Sequence, residues 1–225
     1  MSPPSGPKAP LPVNSGVVLL HGIARTSRSM NAMEKALEAS GFHTLNLDYA
    51  SRRKPLDQLA ADIHSPILNF ANGLGAELHF VGHSMGGLLA RVYLARHRPR
   101  RLGRVVMLGT PNQGSEVADT LRNLAIFRRF YGPAGQQLTT GPDAALTALP
   151  AIDYCVGIIA GNRSIDPISS TFVLPKPNDG KVSVANTKLA GMSGHVVVGA
   201  SHPMLARKKA AIEQTIAFLR TGRFA

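Results

Sequence analysis

The run Leu78-His79-Phe80-Val81-Gly82-His83-Ser84-Met85-Gly86-Gly87 passes from an apolar, β-leaning segment into a helix-like one, Leu88-Leu89-Ala90-Arg91-Val92-Tyr93-Leu94. Between them stands Gly82-His83-Ser84-Met85-Gly86, a Gly-x-Ser-x-Gly with a strand before it and a helix after it. In that setting the serine occupies a sharp turn with a strained backbone, and side chains at the glycine positions would collide with the neighbouring strand or helix. The turn lifts the serine oxygen clear of the sheet and puts a helix N-terminus beneath it. Serine and glycine also make ordinary turns, so the pentapeptide alone decides little. The flanking strand and helix make it a nucleophile elbow.

Upstream, Val17-Val18-Leu19-Leu20 is short, apolar and partly β-branched, as a strand buried on both faces requires, and it runs into His21-Gly22-Ile23-Ala24-Arg25. A helix is expected from about Arg28 to Ser40, with Met30, Met33 and Leu37 on one face and Gly41 as its stop. Phe42 to Asp48 alternates as a strand, with Leu45 and Leu47 as its core positions. Leu56, Leu59, Ile63, Ile67 and Phe70 recur with helical spacing, and Pro66 should interrupt that helix. Downstream of the elbow, Arg104 to Leu108, Tyr154 to Ala160 and His195 to Val198 read as strands. A final helix follows Ser201-His202-Pro203, with Leu205, Ile212, Ile216 and Leu219 on its buried face. The alternation calls for an α/β fold: a mostly parallel central sheet with helices on both faces.

The period changes between strands. Val117, Leu121, Leu124 and Tyr131 share a helical face, and Gly132 to Pro150 is loop-rich, so residues 110–153 are expected to form a small lid-like insertion. The apolar face of Val117, Leu121 and Leu124 suits either a cover over an acyl pocket or ordinary core.

At 225 residues the chain is read as one α/β domain over residues 17–225, with a flexible proline-rich arm over 1–16. No apolar run approaches the ~20 residues that span a bilayer. Met1 to Val13 lacks the charged-then-apolar order of a signal peptide, and the one cysteine, Cys155, cannot form an internal disulfide; both point to the cytoplasm. The net charge of +12 and pI of about 10.6 raise nucleic acid and anionic membrane as partners. The basic residues are dispersed over loops and helix faces without a nucleic-acid motif or aromatic stacking pattern. Solvated faces are the better reading: no nucleic-acid partner is expected, and attraction to an anionic membrane is kept as a secondary idea.

A serine hydroxyl needs a base to take its proton, and the base needs a carboxylate to fix its tautomer. In an open α/β sheet the active groups gather beyond the carboxyl ends of the strands. His202 directly follows the last strand and lies at that edge. His79 and His195 begin their strands and lie at the other, and His83 should point away from the serine's site. His43, His64 and His97 read as surface or strand-end residues. Asp153 precedes its strand, and Asp48, early in the chain, reads as structural. Asp166 and Asp179 both remain as acids on geometry, with the glycine-fixed Asn178-Asp179-Gly180 turn favouring Asp179. The backbone N–H groups of Met85 and Ile23 are the expected oxyanion hole, each donor worth roughly 3–4 kcal/mol of barrier lowering.

His21-Gly22, Gly82-His83-Ser84-Met85-Gly86-Gly87, Gly109-Thr110-Pro111-Asn112-Gln113-Gly114-Ser115, Asn178-Asp179-Gly180 and Ser201-His202 stand in the order found in bacterial α/β-hydrolase lipases and esterases, which the chain resembles from about Val17 onward. The resemblance implies the α/β-hydrolase fold and hydrolysis of a small-molecule or lipid ester through an acyl-serine intermediate, without a cofactor. In that family the acid commonly lies in an Asn-Asp-Gly turn about two dozen residues before the histidine, which implies the set Ser84, Asp179 and His202. Calcium-dependent members carry an aspartate two residues after the histidine; Met204 stands here, so no such metal site is expected. An acyltransferase or thioesterase would use the same three residues, and a non-catalytic module with a basic surface is the reading from another class.

Overall fold

The computed structural model describes residues 15–114, 133–134, 149–164 and 174–225. The lid expected over 110–153, its helical face at Val117 to Tyr131, most of the N-terminal arm and Asp166 therefore lie largely or wholly outside the described residues.

Six parallel strands form the sheet: β1 (Gly16–Leu20), β2 (His43–Leu47), β3 (Leu78–His83), β4 (Leu102–Leu108), β5 (Val156–Gly161) and β6 (Gly194–Val198), in the spatial order β2-β1-β3-β4-β5-β6. Among the described residues, the helices with defined bounds are α1 (Asn31–Ala39), α2 (Leu56–Asp62), α3 (His64–Asn72), α4 (Met85–Arg96), the single turn α5 (Val184–Thr187) and α6 (Lys209–Thr221). Strand order reverses between β1 and β3, the place where an open α/β sheet opens a crevice at its carboxyl edge.

The apolar strands divide by alternation between two cores. Val18, Leu20, Phe80, Val105, Met107 and Ile158 pack with α2, α3 and α4. Val17, Leu19, Val81, Val106, Leu108 and Ile159 face the other way, toward α1 and α6. Because both faces are covered, β1 has no exposed side chain, which is why its sequence shows a continuous apolar run. Among the described residues β2 pairs with β1 alone, and Leu45 and Leu47 are half-buried against the first core. Cys155 is likewise half-buried, against the second.

Three boundaries differ from the expectations. A 3-10 turn, Ser27–Met30, precedes α1. The helix after the basic loop breaks at Ile63, and Pro66 falls in the first turn of α3, where a missing N–H breaks no intrahelical bond. Pro203 does not open the last helix; it stands in a 3-10 turn, His202–Arg207, and α6 begins at Lys209. In α6 the fully buried residues are Ala211, Thr215, Phe218 and Leu219, while Ile212 and Ile216 are half-buried beside them.

Candidate active site

Ser84 joins β3 to α4 with φ 55° and ψ −123°, a region that costs a non-glycine residue about 1–3 kcal/mol. Its surroundings hold it there. The Ser84 N–H donates to the Leu108 carbonyl at 2.8 Å, extending the ladder to β4. The Ser84 carbonyl accepts from Gly87 N–H and from the Thr110 hydroxyl, both at 3.0 Å. Strand and helix approach so closely that a Cβ on Gly86 would lie 2.2 Å from the Leu20 carbonyl oxygen, and one on Gly82 2.5 Å from the Gly87 nitrogen. Glycine is required at both positions by contact.

The Ser84 hydroxyl donates to His202 Nε2 at 2.9 Å, and His202 Nδ1–H donates to Asp179 Oδ2 at 2.7 Å. With the proton fixed on Nδ1, Nε2 is left as the acceptor facing the serine. Asp179 is 1% exposed, and its other oxygen accepts from the Lys181 and Val182 amides at 3.0 and 2.9 Å. Asn178 Oδ1 accepts from Gly180 N–H at 3.0 Å, and Gly180 has φ 93°, so the Asn-Asp-Gly sequence makes a rigid turn. The turn is tied to the histidine a second time, His202 N–H donating to the Asp179 carbonyl at 2.9 Å. Burial pushes the Asp179 carboxyl up, but electrostatic attraction to His202 and the hydrogen bonds from His202, Val182 and Lys181 outweigh it and hold the group below the ordinary carboxylate range. Gly109, at φ 55°, leaves room for the pair: a Cβ there would stand 3.1 Å from Asp179 Oδ2 and 3.3 Å from His202 Nδ1.

Met85 opens α4 and is fully buried. Ile23 follows Gly22, which abuts Ser84: a Cβ on Gly22 would be 3.2 Å from Ser84 Cβ. The structure thus brings the segments carrying Ser84, His202, Asp179, Met85 and Ile23 to one place at the carboxyl edge of the sheet. The excluded histidines have other occupations. His79 Nδ1 accepts from Arg104 N–H at 2.8 Å, and His195 Nε2 meets the Thr187 hydroxyl at 3.0 Å. Asp153 is exposed and bonded to Arg98 at 2.6 Å.

Two groups went unassigned in the sequence. The first holds the loop after β1. His21 is fully buried and stacked on Tyr49 with ring centroids 4.0 Å apart. Its Nδ1–H donates to the Gly22 carbonyl at 2.8 Å, and the Tyr49 hydroxyl donates to the His21 carbonyl. Burial lowers the His21 pKa, with the Gly22 bond and Asp48 opposing. Asp48 Oδ1 accepts from Ser27 N–H at 3.3 Å, the structural part expected of it. The second group is His83. Its ring lies beside that of His202, with centroids 5.0 Å apart, and Nε2–H donates to the His202 carbonyl at 2.9 Å. Burial, then the neighbouring His202, pushes its pKa down to about 3, so the ring stays neutral and keeps that donor in place. The x position of Gly-x-Ser carries no sequence signal for such a role; only the approach of the His202 loop shows it.

A family profile described as "alpha/beta hydrolase fold" matches residues 17–153. Among curated proteins, a triacylglycerol lipase of Pseudomonas fragi is 38% identical over 94 residues, which cover 41% of this chain and 30% of that protein. A triacylglycerol lipase of Pseudarthrobacter phenanthrenivorans is 31% identical over 120 residues, covering 48% of this chain and 36% of the relative. The matches thus span about a third of the length of these curated relatives. Among solved structures, the mature form of a Bacillus licheniformis lipase superposes with a TM-score of 0.74 at 18% identity, covering 98% of this chain and 96% of that one.

Proposed function

The chain belongs to the alpha/beta hydrolase fold family, and on that premise we propose that it hydrolyses carboxylic esters through an acyl-serine intermediate on Ser84. One observation carries the reading: the unbroken chain Ser84 Oγ to His202 Nε2 at 2.9 Å and His202 Nδ1 to Asp179 Oδ2 at 2.7 Å, ending on a buried carboxylate. Ser84 Oγ attacks the ester carbonyl carbon as its proton passes to His202 Nε2. Asp179 keeps the imidazole in the receptive tautomer and stabilises the imidazolium without taking a proton. The N–H groups of Met85 and Ile23 receive the developing oxyanion. Collapse of the tetrahedral intermediate breaks the bond to the alcohol oxygen, which takes the proton back from His202. Water then repeats the sequence on the acyl-serine, releasing the carboxylic acid and restoring Ser84. Relatives named triacylglycerol lipases make acylglycerols the natural first substrates.

In a panel of p-nitrophenyl esters of increasing chain length, the wild type should release nitrophenol and Ser84→Ala should fall to the background rate. Hydrolysis persisting in Ser84→Ala would reject the assignment.

A further inference from the structure

A pocket of about 360 Å³ opens beside the three catalytic segments, between the Ser27–Met30 turn and the His202–Arg207 turn. Its wall contains Ala24, His83 and Pro203, the immediate chain neighbours of Ile23, Ser84 and His202. It also contains Arg25, Arg28 and Arg207, gathered from two segments some 180 positions apart. No carboxylate lines it, and none of the three guanidiniums makes an ion pair among the described residues. Asp48, on the same loop system, is engaged with the Ser27 amide and lies close to His21. Arg25 is near enough to His83 to add to the depression of its pKa, after burial and His202.

Three of the dispersed basic residues thus meet at one pocket, whose wall holds the chain neighbours of Ile23, Ser84 and His202. Resting on the ester-hydrolase reading above, we propose that this pocket receives a phosphate group carried on the alcohol part of the ester. Guanidinium forks match phosphate oxygens bidentately, and three of them suit a dianion better than a single carboxylate would. The alcohol side follows from the chemistry: the leaving oxygen takes its proton from His202 Nε2, and Pro203, Ala206 and Arg207 continue the chain directly from that histidine. The bond broken is the same acyl–oxygen bond, and the phosphate departs with the alcohol. Because the arginines are exposed, their attraction is screened by salt.

The test compares 1-butyrylglycerol 3-phosphate with 1-butyrylglycerol on the full chain, at low and high salt, with inorganic phosphate as a competitor. The wild type should prefer the phosphorylated ester by roughly tenfold in kcat/KM at low salt, mainly through KM. The preference should fade in high salt, and the double variant Arg28→Gln/Arg207→Gln should lose most of it. The ratio is internal to each protein, so loss of folded enzyme cancels. No preference in the wild type, or a preference kept by the double variant, overturns the proposal while leaving ester hydrolysis standing. Competition by inorganic phosphate without preference for the phosphorylated ester would make the pocket a free-anion site and also overturn it. Hydrolysis of neither ester would remove the ester-hydrolase reading and this proposal together.

Discussion

In the proposed mechanism Asp179 decides how well His202 can serve Ser84. Its carboxylate is buried and saturated: one oxygen takes two backbone amides, the other takes His202 Nδ1–H. Replacement by asparagine keeps the shape but favours the wrong imidazole tautomer. Asp179→Asn should therefore lower kcat for p-nitrophenyl butyrate by roughly 10⁴-fold with a far smaller change in KM, measured by steady-state kinetics. A loss of less than tenfold would show that another carboxylate orients His202. Ser84, His202, Met85 and Ile23 could be singled out in the sequence because each lies just beyond a strand end, and the structure brings their segments together. The acid was not separable on geometry in the sequence, since Asp166 and Asp179 both follow β5. What fixes Asp179 to His202 is a backbone turn closed by Asn178 and Gly180, together with a bond from His202 N–H. The parts of His21, Tyr49 and His83 depend on neighbours 28 to 119 positions away, which no local pattern reports.

At the scale of elements, the elbow is a collision avoided. α4 can leave β3 at so sharp an angle only because Gly82 and Gly86 present no side chain to the opposing backbone. In Gly86→Ala the new methyl would lie 2.2 Å from the Leu20 carbonyl oxygen, with backbone on both sides of the conflict. The variant should lose at least 1–3 kcal/mol of stability, about the usual cost of overpacking, in urea denaturation, and should lose esterase activity with it. A fully stable Gly86→Ala would mean that β1 and α4 are not so closely packed. Strand and helix identities came through in the sequence because buried parallel strands are continuous apolar runs. Helix ends came through less well. Pro66 marks a first turn and not a break, and Pro203 belongs to a 3-10 turn; a proline restricts its own backbone but does not say which side of it the helix lies.

For the whole molecule, two cores on opposite faces of one sheet bury several histidines as neutral rings. His79 is 1% exposed, with its pKa lowered to about 4 by burial and then by Arg104, and His83 lies at about 3. Both folded values lie below the ordinary 6.5, so the unfolded chain takes up protons first as the pH falls. Stability should therefore decline from about pH 6.5 toward pH 4, by on the order of 1 kcal/mol per pH unit for each such ring. Asp179, depressed in the folded state, contributes stability above the ordinary carboxylate pKa that is lost at lower pH still. His79→Asn should flatten the decline by about one ring's share, read from urea denaturation at pH 7, 6 and 5. An unchanged slope would show that His79 does not stay neutral in the fold. The layered architecture was legible from alternating apolar runs and helical periods. The gathering of Arg25, Arg28 and Arg207 was not, because charges dispersed along a sequence look alike until two loops fold against each other.

The central claim is that Ser84 is the activated nucleophile. Intact-mass and peptide mapping after treatment with a fluorophosphonate addresses it directly. The wild type should gain one adduct, on the peptide containing Ser84, with parallel loss of p-nitrophenyl butyrate hydrolysis, and Ser84→Ala should gain none. An adduct on another residue, or an unlabelled wild type that still hydrolyses the ester, would contradict the account.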